Sequence, residues 1–346
     1  MTELRYDELR GEQVVYAVDR QERTFLPPAE HCPLCPTRPG GEPTEIPLPA
    51  FQIAVFQNRF PALTPPDGDA EVVVYTDSHT GSLGTLHRAR ARALMWVWRH
   101  RYAELGARED VQYVYIFENR GVEVGVTLHH PHGQIYAYPF LPPVPALELA
   151  ADERLGGCAT CELLRRELGD GAEARADGAG GQADTGSQAD DTGARADDAG
   201  DQADDATSRV VYENEAIVAY VPYAARWAYE AHVVMRAHRH SLLDCEPGEL
   251  DALADALQAL VRGYDALWDR PMPYVMAVHQ APTGASTPGG PTRGRGHVHV
   301  EFYPPLRTAH KLKYLAGSEQ GAGTFISDTH PEESARELRA AIADVA

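Results

Sequence analysis

The stretch GVTLHHPHGQIYAYP, residues 125–139, holds three histidines within four positions. They are His129, His130 and His132, with Pro131 before the last of them. Apolar, β-prone residues on both sides predict a β-strand that carries the imidazoles at one end. Alternate residues of a strand point to the same face, so His130 and His132 are expected to lie side by side. This pattern indicates a metal site, a nucleophile or both.

The elements around this stretch recur later in the chain. Each half contains a Cys-x-x-Cys pair, β-strands, a histidine, a long helix, another strand and a His-x-His pair, which is His297-Val-His299 in the second half. The helices are expected at about 83–106 and 247–267. Such a repeat predicts an α+β fold of two fused units, mostly antiparallel sheet with helices packed on one face.

The predicted organisation has four parts. They are an N-terminal half (1–150), a segment with the second Cys pair (151–168), an acidic insert (169–208) and a C-terminal half (209–346). The insert has eleven Asp or Glu against two Arg, and alanine is its only hydrophobic residue. A segment of that composition cannot bury enough apolar surface to offset the entropy of ordering, so disorder is expected there.

The net charge of the chain is −20. Nucleic-acid binding requires a basic surface that displaces counterions, and no basic stripe is visible. No run of 18 apolar residues and no secretory signal is recognisable, so we expect no membrane partner and a cytoplasmic location.

Four of the five cysteines form the two Cys-x-x-Cys pairs. In a reducing compartment this spacing favours zinc over disulfides, because zinc prefers tetrahedral sets of Cys and His ligands. Each pair has a downstream histidine and a His-x-His partner. The predicted zinc ligands are Cys32, Cys35, His79 and His130 in the first site, and Cys158, Cys161, His238 and His297 in the second.

Two alternatives to these zinc sites exist. The thiols could be reduced and unligated, although the prolines in HCPLCP indicate a rigid knuckle. His279, His297 and His299 could instead converge with Glu148. His297 cannot readily serve both sets, and the set with thiolates is preferred.

His132 is the candidate nucleophile. With His130 on a metal, His132 stands one strand step away, and Gly133 leaves space beside it. An imidazole attacks phosphorus well when its other nitrogen donates to a carbonyl, which fixes the tautomer. The amide of Gln134 could stabilise charge on the phosphoryl oxygens. The competing interpretation is that His132 is a second ligand or a surface histidine.

These residues resemble the active-site segment of galactose-1-phosphate uridylyltransferases, in the histidine-triad superfamily. The likeness covers nearly the whole chain outside the acidic insert. The motifs that carry it are CPLC, FQNRFPAL, DSHTGSL, HHPHGQ, HVHVEFYPP and KYLAGSEQGAGTF. The resemblance implies a ping-pong exchange in which UMP passes from UDP-glucose to a histidine and then to galactose 1-phosphate.

The resemblance also implies roles for individual residues. His132 matches the family nucleophile, Gln134 matches the glutamine that steadies the phosphoryl group, and the first Cys/His set matches the family zinc ligands. Further positions match substrate-binding ones: Asn58 and Asn119 in the nucleotide site, Thr127 near the phosphates, Arg20 and Arg23 toward phosphate, and Lys313, Gly317 and Glu319 in a hexose-contacting segment that usually reaches across a homodimer.

Three departures from the family pattern are visible. His129 stands where proline is common, and Phe325 stands where a sugar-contacting glutamine often occurs. The second Cys pair resembles two-zinc relatives such as plant ADP-glucose phosphorylases. An adenylyl-transferring or dinucleoside-polyphosphate phosphorylase therefore stays open, as does a non-catalytic zinc-stabilised nucleotide-binding module. His299 matches His132 in the repeat but precedes Val-Glu instead of Gly-Gln, so a structural role is expected.

Overall fold

The structure, a computed structural model, describes residues 2–169, 208–283 and 295–346. All but the two end residues of the expected disordered insert lie outside these ranges, so the prediction for it stays a prediction. Across the described residues, none of the helices is both long and apolar enough to cross a membrane.

Most strands belong to one nine-stranded sheet. In chain order the strands are β1 Glu3–Asp7, β2 Glu12–Tyr16, β3 Ala54–Gln57, β4 Asp69–Val74, β5 Tyr113–Arg120, β6 His132–Tyr138, β7 Val210–Glu213, β8 Ile217–Tyr220, β9 Ala231–Met235, β10 Tyr274–His279, β11 His299–Tyr303, β12 Leu306–Thr308 and β13 Lys311–Leu312. The sheet order is β3-β4-β6-β5-β10-β11-β9-β8-β7, while β1–β2 and β12–β13 form separate hairpins.

The two halves meet at the β5–β10 pair in the middle of this sheet. Ile116 lies opposite Val278 and Arg120 opposite Tyr274 in an antiparallel register. Outward from this seam, β6, β4 and β3 on one side correspond to β11, β9 and β8 on the other. The repeat read from the sequence is therefore an approximate twofold arrangement, and the predicted antiparallel α+β fold is confirmed.

The described residues form the α-helices α1 Arg88–Gly106, α2 Pro143–Leu155, α3 Ala159–Glu167, α4 Pro247–Ala266 and α5 Pro331–Asp344. Three of them, α1, α4 and α5, cover one face of the sheet. The main core forms between this sheet face and α1, α4 and α5, with Trp98, Tyr264 and Phe302 fully buried. Each such side chain contributes about 1.5–3 kcal/mol by leaving water. The short helix α3 packs on the opposite face, where Leu164 meets Tyr220.

Helix α4 begins and ends within a residue of the predicted bounds. Pro247 occupies its first turn, and the Glu246 backbone N–H donates to the Glu249 carboxylate at 2.7 Å. Proline at this position costs no hydrogen bond, because the first N–H groups of a helix have no internal partner. Helix α1 starts later than expected, since Leu83–Thr85 forms a separate 3-10 turn before it.

The second half contains one strand more than the first. The expected single strand in ENEAIVAYVP is preceded by β7, and the Asn214 side chain closes the turn by accepting the N–H groups of Ala216 and Ile217. Just before β7, Arg209 donates to Glu167 at the end of α3 at 2.7 Å and to Glu332 in α5 at 2.8 Å. These contacts join the residues on both sides of 170–207.

Candidate active site

The first predicted metal group assembles as expected. The ligand atoms of Cys32, Cys35, His79 and His130 lie within 4.8 Å of one another. The Cys35 Sγ lies 3.4 Å from His79 Nδ1 and 3.5 Å from His130 Nδ1. His130 is 1% exposed, and its Nε2 donates to the Thr76 carbonyl at 2.7 Å, which directs Nδ1 toward the thiols. Burial lowers the pKa of His130 to about 4, so the ring is neutral and able to bind a metal.

The second predicted group repeats this geometry in the other half. Cys158, Cys161, His238 and His297 bring their ligand atoms within the same 4.8 Å. The Cys161 Sγ lies 3.2 Å from His238 Nδ1 and 3.3 Å from His297 Nδ1. The His297 Nε2 donates to the Met235 carbonyl at 3.0 Å, as His130 does to Thr76. Two thiols and two imidazole nitrogens suit zinc in both groups.

A third group of possible ligands lies nearby in the second half. It contains Glu148, His279, His299 and Glu301. The His279 Nδ1 lies 2.7 Å from Glu148, and the His299 Nε2 lies 3.4 Å from Glu301. The sequence had offered His279, His297, His299 and Glu148 as one competing set. That set is wrong, because the His297 ring points to the cysteines, and Glu301 completes the group instead.

His132 follows the first metal group directly on β6. Its Nδ1 lies 2.7 Å from the His130 carbonyl oxygen, which can only accept. The Nδ1 atom therefore carries the proton, and the lone pair is left on Nε2. Burial lowers the pKa of His132, which keeps the imidazole neutral. The geometry is that of a nucleophile held in one tautomer.

A cavity of about 670 Å³ opens beside His132. Gln134, Asn58, Thr127 and Arg23, all predicted from the sequence, line it. The Gln134 Oε1 accepts from Asn58 Nδ2 at 3.4 Å and from the Tyr136 hydroxyl at 3.3 Å, so its NH₂ group remains for another acceptor. Polar groups beside a neutral imidazole suit a phosphate ester.

One part of the cavity wall is apolar, and no sequence motif indicated it. Leu34, Phe56, Phe60, Val72 and Leu128 line it. These residues come from the first Cys-x-x-Cys loop, from β3 and the loop after it, from β4 and from the loop before β6. Their separation along the chain hides them, since no short pattern joins them. Aromatic and aliphatic walls of this kind receive the flat face of a base.

The N-terminal arginines lie next to this cavity. The Arg20 guanidinium donates to the Tyr136 hydroxyl at 2.8 Å, and Arg23 Nε donates to the Arg20 carbonyl at 3.0 Å. Burial and the Arg20 charge lower the pKa of Arg23, which lines the cavity and has no carboxylate partner among the residues that the structure describes. An anion would relieve this repulsion.

The remaining predicted residues lie apart from the cavity. Asn119 lines a second cavity on the other side of His132. The Lys313 ammonium donates to the carbonyls of Arg226 at 2.6 Å and Ile326 at 2.5 Å. The Glu319 carboxylate accepts from the backbone N–H groups of Ala316 and Ile326, and Gly317 begins the same exposed turn. Within one chain, these contacts hold the segment against Arg226 and Trp227, and its residues are not among those that line the two cavities beside His132.

The fold and the site define a class of protein. Two fused α+β repeats, each with a Cys/His group and a His-x-His strand, and one neutral histidine beside a base-sized cavity describe a histidine-dependent nucleotidyltransferase.

Comparisons with known proteins agree with this class. The galactose-1-phosphate uridyl transferase N-terminal domain model matches residues 63–142, and the C-terminal domain model matches residues 195–345. A galactose-1-phosphate uridylyltransferase of Thermotoga maritima is 34% identical, with 98% of each chain covered. The Streptomyces lividans enzyme of the same name is also 34% identical, over 99% of this chain and 88% of its own length. The chain belongs to the galactose-1-phosphate uridylyltransferase family.

Solved structures show the same fold. A uridylyltransferase structure superposes with a TM-score of 0.75 at 27% identity, covering 100% of this chain and 99% of its own. An ADP-glucose phosphorylase from Arabidopsis thaliana gives a TM-score of 0.66 at 19% identity, covering 98% and 99%. The second likeness concerns the fold alone.

Proposed function

We propose that the protein transfers UMP from UDP-glucose to galactose 1-phosphate through a covalent intermediate on His132. The observation that carries this proposal is the hydrogen bond from His132 Nδ1 to the His130 carbonyl, which leaves the Nε2 lone pair at the cavity. The names of the relatives support the choice of galactose 1-phosphate as a substrate.

In the first half-reaction, Nε2 of His132 attacks the α-phosphorus of UDP-glucose. A phosphorus–nitrogen bond forms, and the bond from the α-phosphorus to the bridging oxygen breaks, so that glucose 1-phosphate leaves with the electron pair. The Gln134 NH₂ group, with Thr127 nearby, stabilises the charge on the phosphoryl oxygens. The apolar wall holds the uracil, and Asn58 orients Gln134.

In the second half-reaction, a phosphate oxygen of galactose 1-phosphate attacks the same phosphorus. The phosphorus–nitrogen bond breaks, its electron pair returns to Nε2, and UDP-galactose leaves. His132 is restored with its Nδ1 proton in place, because the His130 carbonyl accepts that proton's hydrogen bond throughout. No net proton transfer to the protein is required.

We propose zinc for both Cys/His groups, since thiolate and imidazole donors at these distances fit its tetrahedral preference. When bound, zinc supplies rigidity and charge compensation for the thiolates. Cys32, Cys35, His79 and His130 would hold it in the first site, and His130 lies two residues before His132. This would fix the carbonyl of His130, on which the tautomer of His132 depends.

The other substrate contacts are proposed from the family positions that these residues match. Arg20 and Arg23 act near the phosphates, and Asn119, which matches a nucleotide-site asparagine, contacts the substrate from the second cavity. Lys313, Gly317 and Glu319 are proposed to contact the hexose of a neighbouring subunit in a homodimer. We also propose a cytoplasmic location, which free cysteines suit because a reducing compartment keeps thiols available for metal.

The test is transfer of label. Incubation with UDP-glucose labelled in the α-phosphate should leave acid-labile, base-stable label on the protein, and galactose 1-phosphate should release it as UDP-galactose. ADP-glucose with the same label is the matched donor, and we expect it to label poorly. Absence of label on zinc-loaded protein would refute the covalent route, and preferential labelling by ADP-glucose would refute the base assignment.

A further inference from the structure

The second cavity beside His132 is built by both halves of the chain. It has a volume of about 960 Å³, and it is lined by Asn119, Glu123, His129 and His132 from the first half and by Arg270 and Pro271 from the second. It shares only His132 and Leu128 with the first cavity described above, which we call the nucleotide cavity because the uracil is proposed to bind there. Its lining combines charged and polar side chains with apolar ones such as Val122 and Val126.

The reaction requires such a second space. In phosphoryl transfer the attacking and departing groups lie roughly in line through the phosphorus. The nucleoside is fixed to one side by the nucleotide cavity. The sugar phosphate, which departs or arrives on the side of the phosphorus opposite Nε2, must therefore be received outside that cavity but within reach of the phosphorus. Charged and hydrogen-bonding groups suit a phosphate and sugar hydroxyls.

The loop 121–125 forms part of this second cavity and has little stability of its own. Gly121 and Gly125 have φ values of +95° and +80°, which side chains rarely adopt. The 3-10 turn between them, Val122–Val124, has no buried residue. The loop joins Asn119 to Thr127, so its conformation sets the spacing of two residues of the proposed site.

Contacts from the second half hold this loop in place. The Arg270 guanidinium donates to Glu123 Oε1 at 3.0 Å and to the Ala309 carbonyl at 2.7 Å. At Gly121, an added Cβ would lie 2.5 Å from Pro273 Cβ, so the backbone is pressed against the second half. The Arg270 side chain is about one-third exposed, facing the cavity that it lines.

We propose that Arg270 is a positioning residue for the sugar-phosphate side of the site. By tying Glu123 to Ala309 it fixes the loop 121–125, and with it the shape of the second cavity. This rests on the proposed function and adds a role for the second half of the chain in it. That half contributes no nucleophile, but it holds the loop against which the hexose phosphate is bound.

The experiment measures sugar-phosphate binding separately from labelling. Zinc-loaded protein is first labelled to completion with UDP-glucose, and the label is then chased with galactose 1-phosphate in a single turnover. Arg270→Gln should raise the half-saturating concentration of galactose 1-phosphate about tenfold, as expected for loss of a charge-assisted hydrogen bond. The label stoichiometry and the inhibition constant of UMP should stay unchanged, because the nucleotide cavity is intact.

Arg236→Gln is the matched control. Arg236 also bridges a carboxylate, that of Glu213, and a backbone carbonyl, that of Asn214, and it is exposed to a similar degree. It lines neither cavity beside His132. This variant should chase like the wild type, and a tenfold shift in it would overturn the proposal.

The charge-reversed pair Glu123→Arg with Arg270→Glu tests the clamp itself. It should recover part of the loss seen in Arg270→Gln, because the contact between loop and second half is restored with inverted charge. No recovery, an unchanged half-saturating concentration in Arg270→Gln, or an equal rise in the UMP inhibition constant would each overturn the proposal. Failure of the wild type to take up label would refute the proposed function instead.

Discussion

The two halves of the molecule place the same histidine pair in opposite electrostatic surroundings. In both, Nδ1 of the second histidine lies 2.7 Å from the carbonyl of the first, for His132 as for His299. Two residues further along the strand, the first half has Gln134 and the second half has Glu301. Burial lowers the pKa of His132. Burial also acts on His299, but hydrogen bonding and charge from Glu301 and Glu148 outweigh it and raise the pKa of His299.

The backbone geometry that the two halves share therefore does not by itself make a histidine a nucleophile. A histidine attacks phosphorus only while Nε2 has a free lone pair. An amide neighbour leaves the imidazole neutral and donates to phosphate oxygens, whereas a carboxylate neighbour favours the imidazolium and repels phosphate. The difference between the halves therefore lies in the neighbours of the histidine and not in its backbone.

The strongest test of this difference between the halves is to replace each histidine in turn. His132→Ala should lower turnover by about 10⁴-fold or more and abolish the covalent label, because the attacking atom is gone. His299→Ala should keep the label, because its ring faces carboxylates. Label stoichiometry with radioactive UDP-glucose is the measurement. Zinc content should stay at the wild-type value in His132→Ala, and label in that variant would contradict the assignment.

The side chains that neighbour the two histidines, Gln134 and Glu301, can be exchanged between the halves. Gln134→Glu gives the first half the carboxylate of the second, and we expect turnover to fall about 10²–10³-fold through loss of a donor to the phosphoryl oxygens and repulsion of phosphate. Glu301→Gln makes the reverse change and should leave turnover within a few-fold of the wild type. Steady-state rates at pH 7.5 measure both. Equal effects of the two substitutions would show that the halves are not electrostatically distinct.

Loss of a cysteine ligand should have different consequences in the two Cys/His groups. Cys35→Ser should remove one zinc and lower activity about 10–100-fold, because His130 then loses its restraint and with it the carbonyl that orients His132. Cys161→Ser should remove one zinc as well but affect mainly thermal stability. Metal analysis, initial rates and melting curves measure the contrast. A larger activity loss in Cys161→Ser would reverse the assignment of the sites.

A further difference, in stability and not in turnover, concerns two buried carboxyl groups with opposite pKa shifts. Burial raises the pKa of Glu118 to about 7, while His232, His299 and His279 overcome burial and lower the pKa of Glu301. A carboxyl with a raised pKa destabilises the fold progressively as the pH rises from its ordinary value of 4.5 to about 7. Glu118→Gln should thus gain roughly 3 kcal/mol relative to the wild type across that window.

Glu301→Gln should show the opposite sign. A carboxyl with a lowered pKa stabilises the fold above its ordinary pKa, and the contribution is lost as the pH falls through the folded value. Urea unfolding of both variants from pH 3 to pH 8 measures this. Parallel pH curves for the two would contradict the shifts.

Much of the fold could be predicted from the sequence because its pattern is repeated. Two Cys-x-x-Cys pairs, two long helices and two His-x-His strands in the same order indicated two units, and the β5–β10 seam joins them as neighbouring strands. The extra strand β7 was missed, because Glu213, Asn214 and Glu215 were included in one predicted strand, whereas Asn214 turns the chain there through its own side-chain hydrogen bonds. Local turn chemistry competed there with periodicity.

The site could be predicted where its residues belong to short, recognisable motifs, and less so elsewhere. Both Cys/His groups and His132 with Gln134 came from short motifs. The allocation of His297 to the cysteines was predicted in this way, whereas the place of Glu301 beside His299 was not, because it depends on how the side chains are oriented in space. The apolar wall and the Arg270–Glu123 contact join distant parts of the chain, so no local pattern reveals them.

The contact between Glu167 and Arg209 has a practical consequence for protein engineering. Both side chains are buried, at 5% and 7% exposure, and are bonded at 2.7 Å, so the two ends of the segment 170–207 are held together. The entropy of closing a loop grows slowly with its length, by only about 0.6 kcal/mol for each doubling. Replacement of 170–207 by a reporter domain of a different length should therefore cost little in loop-closure entropy.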